Sequence, residues 1–78
     1  MASRVVLLTR SQCHLCEDAR AVVSRVCGDV GVAFEEVDVD ADPALREAHG
    51  DFVPVVLVDG VRRGFWTIDA DQLRSALV

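Results

Sequence analysis

Arg10-Ser11-Gln12-Cys13-His14-Leu15-Cys16 is the stretch on which the reading of this chain turns. The apolar run Val5 to Leu8 before it reads as a strand. The segment Leu15 to Cys27 after it reads as a helix. Two cysteines three residues apart therefore fall at a strand-to-helix junction. On a helix, residues i and i+3 share a face with Cβ atoms about 5–6 Å apart. A disulfide needs roughly 3.5–4.5 Å, so a small adjustment in the first turn joins or separates the two sulfurs. That suits a bond made to form and break.

The nucleophile in such chemistry is the thiolate, and an ordinary cysteine, with pKa about 8.5, carries little of it at neutral pH. Cys13 is expected at the helix start, where unpaired N–H groups and the helix dipole favour an anion. Arg10, just upstream, is expected to add to that field, while Glu17 and Asp18 oppose it. Cys16, one turn inside, is expected to be less exposed and closer to a normal thiol. The asymmetry assigns attack to Cys13 and resolution to Cys16. A third cysteine, Cys27, lies eleven residues beyond Cys16, roughly 16 Å away at about 1.5 Å per helical residue. It cannot complete a tetrahedral zinc site with the pair, and it reads as a small core hydrophobe.

The chain has 78 residues, 51% of them hydrophobic, enough for one domain (1–78) with a modest core. The net charge of −5 argues against nucleic acid or an acidic membrane face as partner. The N-terminal stretch beginning Met1-Ala2-Ser3-Arg4 reads as too short for a signal peptide. No apolar run approaches membrane-spanning length. A cytoplasmic location is expected, where a transient disulfide is more natural than a lasting one.

Arg4 to Thr9 suits a central strand covered on both faces. Leu15, Ala19, Val22, Val23 and Val26 recur at helical spacing and are expected to face the core, with Gly28 and Gly31 ending the helix. Val32 to Asp40 reads as a second strand. Its alternation shifts phase at Glu35-Glu36, which suggests a bulge or an exposed edge. The acidic run from Glu35 to Asp42 lacks calcium-loop spacing and reads as a solvated strand end. Asp42-Pro43 starts a short helix over Pro43 to His49, with Gly50 as its stop. His49 is expected to meet the terminal carbonyls or the dipole. Val53 to Val58 is a strand whose second residue is Pro54, a position that suggests a special backbone site. Asp59-Gly60 is a two-residue hairpin turn, so Val61 to Trp66 should return antiparallel, with Arg62-Arg63 as a solvated edge. Asp69 with Gln72, and Ile68 with Leu73, are spaced like a capping box and a hydrophobic staple at the start of a last helix.

The order strand, helix, strand, helix, strand, strand, helix, with C-x-x-C after the first strand and Val53-Pro54 opening the third, resembles the thioredoxin fold in its glutaredoxin-sized form. The match is best over Leu8 to Cys16 and Val53 to Gly60, and is most similar to small glutaredoxin-like proteins with a C-H-L-C site. The resemblance implies an α/β thioredoxin-like βαβαββα fold, a four-stranded mixed sheet with helices on both faces. It implies that Cys13 is the nucleophile and Cys16 the resolving thiol. It sets Pro54 at the cis-proline facing the active-site disulfide. Val53 matches the residue whose backbone pairs with an extended substrate, and Arg10 the basic residue three positions before the nucleophile.

Two departures stand out. His14-Leu15 replaces the Pro-Tyr or Pro-Phe usual between the cysteines. His14 lies at the substrate face, where it either favours the thiolate when charged or faces water. The Gly-Gly and acidic pair that hold glutathione are not matched, since Gly64 is followed by Phe65-Trp66-Thr67-Ile68 and Asp69 comes late. Trp66 reads first as a core or rim aromatic and second as a substrate surface.

The expected function is thiol–disulfide oxidoreduction on a disulfide-containing protein or a small-thiol substrate. A reductase or a low-molecular-weight thiol such as glutathione restores the dithiol, the chain acts as a monomer, and no metal or organic cofactor is needed. A metal or iron–sulfur binding module through Cys13 and Cys16 is one alternative. A non-catalytic interaction domain is another.

Overall fold

The computed structural model describes residues 3–78; Met1 and Ala2, where the stretch read as too short for a signal peptide begins, lie outside it. The elements are β1 (Val5–Thr9), α1 (His14–Val30), β2 (Phe34–Asp38), α2 (Pro43–His49), β3 (Val55–Val58), β4 (Val61–Phe65) and α3 (Ala70–Leu77). Single 3₁₀ turns at Val39–Ala41 and Gly50–Phe52 flank α2. This is the expected βαβαββα order.

The strands form one mixed sheet in the order β2-β1-β3-β4. β1 runs parallel to β2 and antiparallel to β3, and β3 runs antiparallel to β4. Every residue of β1 and β3 is buried, as two central strands covered on both faces require. Successive side chains point to opposite faces, so the apolar residues divide between two cores. Val5 and Leu7 join Val56 and Val58 under α1 and α3, with Ala19, Val23, Val26, Cys27, Leu73 and Leu77. Val6 and Leu8 join Val55, Leu57 and Val39 on the other face, beneath Leu45 of α2 and Phe52. Helices thus cover both faces, with α1 and α3 on one and α2 on the other.

Helix ends follow the side chains that cap them. Asp42 accepts from the N–H groups of Ala44 (3.0 Å) and Leu45 (3.3 Å), and Pro43 opens α2. Asp69 accepts from the N–H of Gln72 at 3.0 Å and starts α3. Ile68 and Leu73 are both buried there, as a staple predicts. Asp59 and Gly60 have φ of 52° and 83°, the pair of positive values of a type I′ hairpin turn.

Two expectations need correction, and two that offered alternatives are narrowed to one. α1 does not stop at Gly28 but runs through it to Val30, and Gly31 alone, in the left-handed conformation, caps it. Leu15, expected in the core stripe, is 45% exposed, because it faces a recess beside Ala19, Val22, Trp66 and Ile68 that no side chain fills. Of the two readings of Glu35-Glu36, the edge holds: β2 is an edge strand paired in regular register, and the bulge lies between β3 and β4, where Val56 faces Gly64 and Leu57 faces Arg62, leaving Arg63 as the extra residue. Of the two readings of His49, its place in the last turn of α2 is the one the dipole needs; its Nδ1 is buried with no hydrogen-bond partner among the described residues, so the ring does not satisfy the terminal carbonyls through that atom.

Candidate functional site

The site forms where β1 hands over to α1. The hand-over loop needs Gln12 at φ 58°, after which Cys13, at φ −117°, is the N-cap of α1. Ser, Thr, Asp and Asn usually hold that position because their side chains accept from the first turn. Here the sulfur does so: the N–H of Cys16 donates to Cys13 Sγ at 3.1 Å. The two cysteines are joined as a disulfide, with Cα atoms 5.2 Å apart. Cys13 is half-buried, whereas Cys16 is only 1% exposed. The difference in access is the one expected from the spacing.

His14 opens α1, is exposed, and lines a shallow depression around Cys13 together with Gln12 and Glu17. Arg10 is exposed too, but its guanidinium is engaged. It donates to both carboxylate oxygens of Asp40, at 3.0 and 3.3 Å, and that partner holds its charge on ever more firmly. Behind it, Thr9 donates to Glu36 at 3.1 Å, and Arg20 of α1 grips the same carboxylate at 2.6 and 2.7 Å. These bonds fasten the strand end and α1 to edge strand β2 beside the dithiol.

Val53 is half-buried and extended, at φ −61° and ψ 144°, and the Val53–Pro54 peptide is cis. Leu8 pairs with Val55, so continuing the register one step sets Pro54 opposite Thr9, at the sheet end from which the chain leaves for Cys13. The predicted residues Cys13, Cys16, His14, Val53 and Pro54 thus share one end of the molecule, with Arg10 turned toward Asp40.

Trp66 belongs to the same end. Its N–H is shared between the carbonyls of Pro54 (2.9 Å) and Phe52 (3.2 Å), and its Nε1 donates to the Asp51 carbonyl at 3.2 Å. The ring packs edge-on against Phe65 at 5.1 Å and leans on Phe52 at 6.2 Å. Arg62 lies over the Phe52 ring at 4.9 Å. Trp66 remains 51% exposed. It is the rim aromatic that the sequence suggests, and its tie to the proline loop is what a place two residues after Gly64 does not show. Nothing in the sequence marks Asp40 as the partner of a residue thirty positions away.

Cys27 lies apart, buried in the core under α1, and burial pushes its thiol up. Among the described residues no group of three or more His, Cys, Asp or Glu is placed to hold a metal ion. No helix among them is long and apolar enough to cross a membrane.

Comparison with known proteins agrees with this geometry. Residues 4–78 match the family described as "Glutaredoxin-like domain (DUF836)". An uncharacterized protein of Mycobacterium tuberculosis is 34% identical over 77 residues, covering 92% of this chain and 79% of its own. The X-ray structure of a protein from X. campestris superposes with a TM-score of 0.75 at 36% identity, over 94% of this chain and 93% of that one. A glutaredoxin from Archaeoglobus fulgidus superposes with a TM-score of 0.68 over 97% of this chain and 87% of its own; at 19% identity it shows the shared fold.

Proposed function

Since the chain belongs to the glutaredoxin-like domain family, we propose that it is a thiol–disulfide oxidoreductase working through Cys13 and Cys16. The observation that carries this reading is the capping sulfur. An accessible Cys13 Sγ faces a backbone donor and the helix N-terminus, with a buried Cys16 bonded to it. Charge-assisted bonds are roughly twice as strong as neutral ones, so the donor does most for the thiolate.

The reaction balances as two exchanges. The Cys13 thiolate attacks one sulfur of a substrate disulfide, forms a mixed disulfide and expels the other half as a thiolate. Cys16, on losing its proton, attacks Cys13 Sγ, forms the Cys13–Cys16 bond and expels the second half. Two electrons pass from the dithiol to the substrate. Two equivalents of a low-molecular-weight thiol, or a reductase, return them. The extended Val53 offers backbone for an extended substrate chain, Pro54 follows it at the same end of the sheet with its carbonyl held by Trp66, and His14 stands at the mouth of the site. The residues assigned to the steps need no metal or organic cofactor, and the reading suits a monomer in a reducing compartment such as the cytoplasm.

Trapping tests the roles. Cys16→Ser cannot resolve the mixed disulfide and should accumulate adducts on Cys13, visible by non-reducing electrophoresis and mass spectrometry. Cys13→Ser should accumulate none. Equal trapping by both variants would refute the assignment.

A further inference from the structure

Between the first turns of α1 and the link from β4 to α3 lies a recess of about 100 Å³. It is lined by Leu15, Ala19, Val22, Trp66 and Ile68, with Thr67 and Asp18 as its polar residues. Leu15 stands between the two redox cysteines in sequence, and the backbone N–H of Trp66 donates to the Pro54 carbonyl, so two walls of the recess belong to the dithiol end of the molecule. An apolar cavity of about 150 Å³ holds a benzene, so this one has room for a single aliphatic side chain. The Trp66 wall is preset. Three hydrogen bonds, at 2.9, 3.2 and 3.2 Å, and two aromatic contacts hold it before any ligand arrives. Trp66 and Leu15 nevertheless leave about half of their own surface to solvent, 51% and 45%.

Two carboxylates flank it, and Arg20, the base that feels Glu17, is held on Glu36. Glu17 lines the depression at Cys13 and Asp18 the recess, and neither carboxylate has an ion-pair partner among the described residues. Arg10, the base nearest in sequence, is spent on Asp40. Arg62 lies over the Phe52 and Phe65 rings and does not line the recess. The N-terminus of α1 draws an anion to the Cys13 sulfur itself, but an anionic disulfide meets the carboxylates of Glu17 and Asp18 on the flank where the recess lies.

We propose that this recess is a subsite for an aliphatic side chain next to the half-cystine of a polypeptide disulfide. The acidic rim favours polypeptides with a basic residue beside that side chain over anionic small disulfides such as glutathione disulfide. The proposal rests on the oxidoreductase reading above and names its substrate class. In an extended chain each residue advances about 3.4 Å, so the subsite is assigned to the residue next to the cysteine bonded to Cys13, not to the cysteine itself.

The test mixes pre-reduced protein with symmetric disulfides of Gly-Cys-Leu-Arg, Gly-Cys-Gly-Arg and Gly-Cys-Leu-Glu, with glutathione disulfide, and with neutral hydroxyethyl disulfide. Thiol loss is followed by quenched alkylation and mass spectrometry. Each rate is divided by that of a free cysteine peptide, which removes differences in leaving-group pKa. The Leu-Arg peptide should outrun the Gly-Arg peptide roughly tenfold, and the Leu-Glu peptide and glutathione disulfide roughly three- to tenfold. Trp66→Ala should abolish the preference for Leu over Gly. Leu15→Ser, at an exposed position, tests the same wall should the tryptophan variant fail to fold. Glu17→Gln with Asp18→Asn, or about 0.5 M salt, should erase the preference for Arg over Glu. Equal normalised rates for the Leu and Gly peptides, or a Leu preference that survives both wall variants, would overturn the subsite. Thiols that react with hydroxyethyl disulfide no faster than the free peptide would instead overturn the oxidoreductase reading beneath it.

Discussion

The backbone N–H of Cys16 points at the sulfur of Cys13 from 3.1 Å, so the residue that shares the disulfide also supplies a donor to its partner. In the disulfide that sulfur is a weak acceptor. Once reduced and ionised it becomes a charged one, at the positive end of the seventeen-residue helix α1. The thiolate gains more from this setting than the thiol does. The Cys13 titration should therefore have its midpoint below the ordinary value of about 8.5, read from the ultraviolet absorbance of the thiolate in reduced protein. A midpoint at or above that value would mean the cap does not favour the anion, and the attack assigned to Cys13 would lose its electrostatic basis.

Cys27 should behave in the opposite way. It is 2% exposed among core residues such as Val23 and Val26, and burial raises its pKa. Iodoacetamide at neutral pH should label Cys13 in the reduced native protein and leave Cys27 unmodified until denaturant is added. Peptide mapping of the labelled protein checks this. Native-state labelling of Cys27 would show that the α1 side of the core opens far more readily than its packing implies.

What the sequence made legible here was mostly local or periodic. The unbroken Val5–Leu8 run announced a strand buried on both faces, and the structure divides its residues between two cores. Asp42-Pro43 and Asp69 marked helix starts because a cap acts within three residues. The dithiol was legible for the same reason, since its spacing and its place at a strand end were both on the page. The failures share another cause. Leu15 fits the helical stripe, but the recess it faces is left unfilled by the link from β4 to α3, which the stripe cannot show. Arg10 looked free to act on Cys13, yet the chain returns thirty residues later with Asp40. Trp66 looked like a rim residue without a task. Its φ of 61° and its bonds to Phe52, Pro54 and Asp51 exist only once the cis-proline loop is folded against it.

Glu36 offers a pH-dependent test of how the site's flank is held. A hydrogen bond from Arg20 keeps its carboxyl below the usual carboxylate range, against the cost of partial burial, with help from Thr9 and from the charge of Arg20. A carboxyl whose folded pKa is depressed adds stability above its unfolded value, about 4.3. That contribution is lost as pH falls through the lower folded value. Wild-type protein should therefore lose melting temperature across the acid range more steeply than Glu36→Gln, and the two curves should converge at the acid end. Thermal melts followed by circular dichroism at a series of pH values measure this. Parallel curves would mean that the bonds among Thr9, Arg20 and Glu36 contribute nothing net in solution.

Gly28 and Gly31 stand three residues apart, and substituting each by alanine should have opposite effects. Gly28 lies inside α1, not at its end, and a Cβ built there meets nothing within 4 Å. Glycine in a helix interior costs roughly 0.5–1 kcal/mol relative to alanine, so Gly28→Ala should stabilise the fold by about that amount. Gly31 also has open space, but its φ is +74°, where a Cβ crowds the following carbonyl at a cost of roughly 1–2 kcal/mol. It is also the cap whose N–H reaches the Cys27 carbonyl. Gly31→Ala should therefore destabilise by about that much. At roughly 4–8 °C per kcal/mol for a domain of this size, the two variants should melt on opposite sides of wild type and separate clearly in one experiment. If Gly28→Ala instead melted below wild type, α1 would end near residue 27 in solution, and the extra turn that carries Asp29 toward Arg74 of α3 would not form.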